Sequence, residues 1–289
     1  MVKAFVGLLL AAILAGCGVQ RSEPNGGQIR VLTTFSTLNS FVQGVGGTRV
    51  SVQNLVPVGA SPEEYQPTPQ DIALISNAQV LVENGAGIEA WLDRIIANAK
   101  NPNLRIIVCS DGLPVKIGNP HLWMNPEYAK VYVRKIRDAL VFTDSAHRDV
   151  YFTNARMYTQ RLDRLADDIQ REIDTVPVAQ RNMIVFHNAW LYYNARFGIR
   201  TVGVIEINPG QDPNPAQIAH LVDLAHQYHV RAVFSEPEYS PKLAQALAQS
   251  AGIRIVSDLY DDSIGNNPEV RDYISMLRYD TGVIVKALQ

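Results

Sequence analysis

Short apolar, β-branched runs alternate with amphipathic segments along most of the chain. Period-two and continuous apolar runs predict strands at 29–34, 50–56, 80–83, 106–110, 183–186, 201–205, 232–235 and 254–257. Apolar positions at helical spacing predict helices at 38–44, 72–77, 88–99, 190–197, 215–229, 241–250 and 268–287. Regular alternation of strand and helix is typical of α/β proteins, so we expect two lobes of mostly parallel sheet covered by helices.

Local signals define the start of the predicted helix at 72–77. Thr68 precedes Pro69, and Asp71 lies three residues after Thr68. A capping residue, a proline at the first helical position and an acidic third residue are the signature of a helix start.

The central segment 145–176 has a different pattern. It contains no glycine and no proline, and it has apolar residues at 158, 162, 165, 169 and 173. This spacing predicts one long amphipathic helix of roughly 45–50 Å that ends before Pro177. We interpret it as a rigid connection (144–177) between an N-terminal lobe (28–143) and a C-terminal lobe (178–289). The alternative is a long helix within one larger domain.

The start of the chain carries a targeting signal. Lys3 precedes an apolar run at 5–14, which is too short to span a membrane but typical of a signal peptide. The run ends in Leu14-Ala15-Gly16-Cys17, which looks like a bacterial lipobox. We expect a leader at 1–16, lipid on Cys17 and a polar tether at 17–27, which would place the protein outside the cytoplasm on a membrane surface. The alternative is an ordinary cleaved signal with a chance cysteine.

Composition excludes several classes of protein. The 289 residues are 47% hydrophobic and 19% charged, which excludes a disordered chain. A net charge of −2 supplies no overall field to attract nucleic acid, and no run of lysine and arginine supplies a local one, so nucleic acid is not expected as a partner. Two cysteines are too few for a disulfide-stapled fold, and Cys109 is expected to be a buried thiol.

Candidate chemistry follows four of the predicted strands. Ligands of α/β proteins gather beyond the carboxyl ends of strands, and the polar residues found there are Glu63, Glu64, His121, His187, Asp261 and Asp262. Singly, each has an ordinary explanation: a structural histidine, a solvated glutamate or an aspartate that caps a turn. Together, two imidazoles and two carboxylates suit a divalent transition metal. HExxH, CxxC, GxGxxG and GxSxG motifs do not occur in the sequence.

The segments around these residues resemble a known family. Residues 61–69, 119–126, 186–189 and 259–263, with a further segment at 235–240, resemble those of the cluster A-I metal-binding lipoproteins. These are the solute-binding components of bacterial zinc and manganese ABC importers. The resemblance implies two α/β lobes joined by one long helix, a metal ion held between them, and no catalytic activity. It also implies a monomer that works with a membrane permease and its ATPase.

Matching the motifs implies Glu63, His121, His187 and Asp262 as the metal ligands. The sequence departs from the family at Glu63, where a histidine is usual, so either Glu63 or Glu64 supplies the first ligand, or neither does. Two nitrogen and two oxygen ligands favour Mn²⁺ modestly over Zn²⁺, and Fe²⁺ accepts the same set.

Two other functions are alternatives to a metal carrier. A metal-dependent hydrolase would use His121, His187 and Asp262 as ligands and Glu63 or Glu64 as a general base for bound water. An importer component for a sugar or amino acid would instead need aromatic and basic side chains in the cleft.

For the metal carrier, the long helix predicts a small opening motion, local to the loop that bears Asp262.

Overall fold

Two parallel sheets form the framework. The computed structural model describes residues 27–208 and 210–289. The first sheet has the order β2-β1-β3-β4 and the second the order β6-β5-β7-β8, and every pairing in both is parallel. The strands are β1 (Ile29–Thr33), β2 (Val50–Asn54), β3 (Val80–Glu83), β4 (Arg105–Val108), β5 (Asn182–Val185), β6 (Arg200–Val204), β7 (Ala232–Phe234) and β8 (Arg254–Val256). The two-lobe α/β prediction is confirmed.

Helices connect the strands and cover the sheets. They are α1 (Ser36–Gly46), α2 (Pro69–Asn77), α3 (Leu92–Ala99), α4 (Pro126–Thr143), α5 (Arg148–Asp174), α6 (Leu191–Phe197), α7 (Pro215–Gln227), α8 (Lys242–Ala251) and α9 (Tyr273–Leu288). Helix α2 begins as its sequence predicts, because the Asp71 carboxylate accepts a hydrogen bond of 2.6 Å from the Thr68 backbone N–H.

Helix α5 is the long central helix. Its 27 residues span about 40 Å, and a 3₁₀ turn at Ser145–His147 replaces the predicted first turn. The apolar stripe, which comprises Tyr158, Leu162, Leu165, Ile169 and Ile173, is buried. It packs against α1 and α4 of the N-terminal lobe and against α6 and α9 of the C-terminal lobe.

Helix α4 is an element that the sequence analysis did not assign. The Asn125 side chain caps it by accepting a hydrogen bond of 3.0 Å from Glu127 N–H, and Pro126 is its first residue. Valine and tyrosine at 131–133 have modest helix propensity and obscured the pattern. Packing of the buried face on α5 outweighs that preference.

One apolar core continues from lobe to lobe. The buried cluster includes β1 and α1 of the first lobe together with β5 and α9 of the second. The rings of Phe41 and Tyr273 lie 4.6 Å apart across the junction, and Tyr273 Oη donates a hydrogen bond of 2.6 Å to the Trp123 carbonyl. The junction is therefore a packed interior, which opposes a wide opening of the lobes.

Two further features of the described residues concern the Cys109 thiol and membrane-spanning helices. Cys109 is fully buried, as predicted, and burial raises the pKa of its thiol. Within the described residues, no helix combines the length and apolar character needed to cross a bilayer. Cys17, the leader and the tether before Gly27 lie outside the described residues.

Candidate metal centre

The carboxyl ends of both sheets face one cleft. The loop after β2 carries Glu63, and the loop after β4 carries His121. His187 follows β5, and Asp262 lies in the segment between β8 and α9. Four residues separated by as much as 199 positions in the sequence thus meet between the lobes.

The two imidazole rings are the centre of this arrangement. His121 Nε2 and His187 Nε2 lie 3.3 Å apart, and both residues are buried. His121 Nε2 is 3.4 Å from Asp262 Oδ1 and 3.9 Å from Glu63 Oε1. Two metal–nitrogen bonds of about 2.1 Å at an angle of about 105° would separate their nitrogens by about 3.3 Å. The rings therefore already have the spacing of two ligands to one ion.

The orientation of His121 is set by Asn119. Asn119 Nδ2 donates a hydrogen bond of 2.6 Å to the Asn188 carbonyl, which leaves Asn119 Oδ1 as the acceptor. This oxygen accepts from His121 N–H at 3.0 Å and lies 3.2 Å from His121 Nδ1. A hydrogen on Nδ1 satisfies that contact, so the Nε2 lone pair points into the cleft.

The Nδ1 side of His187 faces carboxylates instead, at distances longer than a hydrogen bond. Its Nδ1 lies 3.6 Å from Glu236 Oε2 and 3.9 Å from Asp261 Oδ2. Glu236 is itself buried, and its Oε1 accepts a hydrogen bond of 3.4 Å from Trp190 Nε1. A neutral His187 with its hydrogen on Nδ1 would place two unprotonated Nε2 atoms opposite each other across the cleft. Either a proton on His187 Nε2 or a metal cation between the two atoms removes the repulsion of their lone pairs.

His187 also belongs to a second group of possible metal donors. Glu63, His121 and His187 offer atoms that lie within 4.8 Å of one another, and so do His187, Glu236 and Asp261. The first group uses Nε2 of the ring and the second faces Nδ1. One imidazole thus separates two sets of acidic oxygens.

Several buried carboxylate oxygens around the two imidazole rings lack hydrogen-bond donors among the described residues. Both Asp262 carboxylate oxygens, Glu63 Oε2 and Asp261 Oδ2 are buried and have no hydrogen-bond partner among the described residues. Burying a carboxylate without a partner costs several kcal/mol. A divalent cation in contact with these oxygens would offset that cost.

The pKa values report the same strain. Burial raises the pKa of Glu63, and burial together with nearby Asp262 raises the pKa of Glu238 to about 8. Burial alone would lower the pKa of His187, but the carboxylates of Asp261 and Glu236 outweigh it and raise that pKa well above its ordinary value. Without metal, the cluster therefore retains protons that its members would release in water.

The Asp262 loop is held by the N-terminal lobe. Thr37 Oγ1 donates to the carbonyls of Asp261 and Asp262, each at 3.1 Å. Ser36 and Ser263 share a hydrogen bond of 3.1 Å between their hydroxyls, and Trp123 Nε1 donates to Asp261 O at 3.0 Å. Because these contacts tie the loop to α1, Asp262 is coupled to the N-terminal lobe despite its late position in the chain.

The two adjacent glutamates have different environments. Glu63 is half-buried and lines a cavity of about 190 Å³ together with His121 and His187. Glu64 is exposed and extends toward Gly210 on the opposite lobe. Trp91 Nε1 fixes this loop by donating a hydrogen bond of 2.8 Å to the Pro62 carbonyl. Of the pair, only Glu63 has its carboxylate among the donors of the first group.

Three further acidic residues were not assigned a role from the sequence. Glu236 and Glu238 follow β7, and Glu206 follows β6 and lines the same cavity as Glu63. All three follow the carboxyl ends of strands, which is the criterion that singled out His121 and His187. The same rule could have found them, but it does not distinguish a residue that faces the cleft from one that faces solvent.

Comparisons with known proteins cover nearly the whole chain. The profile of the family described as "Zinc-uptake complex component A periplasmic" matches residues 31–287. The manganese-binding lipoprotein MntA of Halalkalibacterium halodurans is 31% identical over 291 residues, covering 98% of this chain and 97% of that protein. The iron-binding protein YfeA of Yersinia pestis is 29% identical, covering 99% of this chain and 93% of that protein.

Solved structures agree with this assignment. A Mn-bound variant of the periplasmic metal-binding protein from Candidatus Liberibacter asiaticus superposes with a TM-score of 0.82 at 26% identity, covering 91% of this chain and 100% of that one. A crystal structure of ZnuA superposes with a TM-score of 0.81 at 28% identity over the same shares.

Proposed function

Because the chain belongs to the family of the zinc-uptake complex component A, we propose that it captures a divalent transition metal ion outside the cytoplasm. It then delivers the ion to the membrane permease of an ABC importer, which is driven by its ATPase. The family is one of solute-binding components and not of enzymes, so the hydrolase considered from the sequence is set aside.

One observation carries this proposal. Two imidazole Nε2 atoms lie 3.3 Å apart beside buried carboxylate oxygens of Asp262 that have no hydrogen-bond partner among the described residues. Neutral nitrogen and anionic oxygen donors at this spacing bind a divalent ion more readily than any uncharged solute. A sugar or amino acid would need more room and a different set of polar groups.

The proposed ligands are Glu63, His121, His187 and Asp262. Each ring contributes Nε2, and each carboxylate contributes one or two oxygens. Four protein ligands leave no position for a reactive water, which suits a carrier. The oxygen-rich set favours Mn²⁺ or Fe²⁺ relative to an all-histidine site, although Zn²⁺ binds the same donors and competes.

The remaining proposals concern location and organisation. Lipid on Cys17 would hold the protein at the membrane surface through the tether at 17–27, which keeps it near the permease. We further propose that it acts as a monomer, with an N-terminal lobe at 28–143, a connecting helix at 144–177 and a C-terminal lobe at 178–289.

Metal analysis and competitive titration test the proposal. The chain from Gly18 onward, purified without an affinity metal, should bind one equivalent of Mn²⁺ or Zn²⁺ and gain thermal stability. His187→Ala should abolish tight binding, because it removes one of the two nitrogen donors. Tight binding that survives this change would refute the assigned site.

Glu63 and Glu64 form a matched pair for the first ligand. Glu63→Gln should weaken binding strongly, whereas Glu64→Gln, which makes the same chemical change one residue away, should have little effect. The opposite ranking would transfer the ligand to Glu64. Equal, negligible effects would reduce the protein ligands to His121, His187 and Asp262.

A further inference from the structure

A groove between α4 and α5 is lined by arginines. Its volume is about 370 Å³, and its lining includes Arg134, Arg137 and Arg156 together with Phe152 and the hydroxyl of Thr159. Phe152 is 41% exposed, and the guanidinium of Arg137 lies 4.6 Å from the centre of its ring. The groove thus combines positive charge, hydrogen-bond donors and an accessible aromatic side chain.

The charge of this groove is not balanced locally. The lining contains no carboxylate. Arg137 pairs with the neighbouring Asp138 at 2.7 Å, but neither Arg134 nor Arg156 has a carboxylate within 4.0 Å in the described part of the chain. A second groove farther along α5 differs in this respect, because Asp167 and Asp168 lie there beside Arg164 and Arg171. Of these two grooves, only the one between α4 and the first half of α5 therefore has an excess of positive charge.

The same end of the molecule receives the start of the folded chain. Gln28 Nε2 donates a hydrogen bond of 3.1 Å to Thr48 O, and the adjacent Arg49 contacts His147 at 3.0 Å, directly before α5 begins. All strands of the first sheet are parallel, so this end lies opposite the metal cleft. The segment from Cys17 to Gln28 spans at most about 38 Å when fully extended.

We propose that the α4–α5 groove binds the phosphate headgroups of anionic phospholipids, with Phe152 at the bilayer surface. This inference rests on the proposed lipid anchor, because Cys17 would bring the groove within reach of the membrane. Arginine forms bidentate contacts with phosphate, and an apolar side chain such as that of phenylalanine binds at the boundary between headgroups and acyl chains.

Seating on lipid through this groove would turn the metal cleft toward the solution. The lipid-bound orientation is then one of ion capture, and delivery requires release from the lipid. A few basic residues and one aromatic ring bind a membrane weakly and reversibly, which is compatible with such release.

Vesicle sedimentation tests the proposal without the anchor. Residues 27–289 contain both sheets and the shared core, so the chain from Gly18 onward serves as the lipid-free protein. It should bind vesicles of phosphatidylglycerol and phosphatidylcholine, bind pure phosphatidylcholine much less, and lose binding as salt increases. Equal binding to both vesicles, or binding to neither, would overturn the proposal.

Two pairs of substitutions on the same surface provide the control. Arg134→Gln with Arg156→Gln should reduce the vesicle partition coefficient about 25-fold, from about fivefold for each arginine. Arg164→Gln with Arg171→Gln makes the same charge change in the balanced groove and should reduce it far less. Equal losses in both pairs would show a nonspecific effect of net charge and refute the assigned groove.

Two further measurements separate the possible failures. Inorganic phosphate that binds the groove, detected by titration, while vesicles do not bind would make it a small-anion site and overturn the lipid assignment. Metal titration of the same variants should be unchanged. Loss of metal binding in the arginine variants would show that the substitutions disturb the fold. Their loss of vesicle binding would then no longer support the groove as the lipid site.

Discussion

Replacing Glu236 by glutamine tests which face of His187 meets the metal. The Glu236 carboxylate lies 3.6 Å from His187 Nδ1, and the ion is proposed to bind Nε2 on the far side of the ring. Glutamine has nearly the same shape and keeps polar atoms facing Nδ1, so the variant removes the negative charge and little else. Trp190 Nε1 can continue to donate to the side-chain oxygen at this position.

The expected loss follows from distance and charge. Summing the contact, the width of the ring and a metal–nitrogen bond places the carboxylate about 8 Å from the ion. At an effective dielectric constant of about 20, the attraction between a unit charge and a dication at that distance is about 4 kcal/mol, which is a ceiling. Substitution of groups that orient a metal ligand usually costs 10–100-fold in affinity, or about 1.4–2.7 kcal/mol. We expect Glu236→Gln to fall in this range.

Competition against a chelator of known affinity measures the effect. Glu269→Gln is the control, because Glu269 is an exposed glutamate of the same lobe. Wild-type affinity in Glu236→Gln would refute the role of this carboxylate in orienting His187. Complete loss in Glu236→Gln, with full binding in Glu63→Gln, would instead place the ion at Nδ1 with Glu236 and Asp261.

Two further predictions concern pH and packing. Because carboxylates raise the pKa of His187 and burial raises that of Glu238 to about 8, metal must displace protons, so affinity should rise between about pH 6 and 8 in competitive titrations. The metal-free chain should lose stability as the pH rises from about 4.5 to 8, since a group with a raised pKa favours the folded state only while it is protonated. The increase in melting temperature on metal binding should therefore grow with pH. A melting-temperature increase that does not change with pH would contradict this. Gly203→Ala should destabilise the protein by about 1–3 kcal/mol in urea unfolding, because its Cβ would lie 2.5 Å from Leu221 Cδ2. Gly282→Ala, which has open space on α9, should instead stabilise it by about 0.5–1 kcal/mol, and the reverse order would refute the packing argument.

Periodicity located most elements because their apolar faces are local in the sequence. The stripe on α5 and the cap of α2 repeat over a few residues, and each is buried or bonded as its pattern predicts. Helix α4 was missed because its valines and tyrosines favour strands in isolation. Packing against α5, which a window of a few residues does not contain, makes the segment helical.

The candidate site shows the same division between local and distant information. Position in the loops that follow strands pointed to His121 and His187, since the carboxyl ends of parallel strands converge on one cleft. That rule left the choice between Glu63 and Glu64 open. The course of the loop decides which side chain faces the histidines, and the Trp91 contact with Pro62 holds that course.

By itself, the sequence determined most of the helices and strands and several of the side chains that could supply chemistry, because hydrophobic period and residue type are local properties. Only the tertiary structure decided that Asp262 is fastened to α1, that Glu236 lies behind His187, and that two ring nitrogens lie 3.3 Å apart. These relations depend on how two sheets pack around one shared core. A distance that must be correct to within a few tenths of an ångström, between residues far apart in the chain, has no signature in a single sequence.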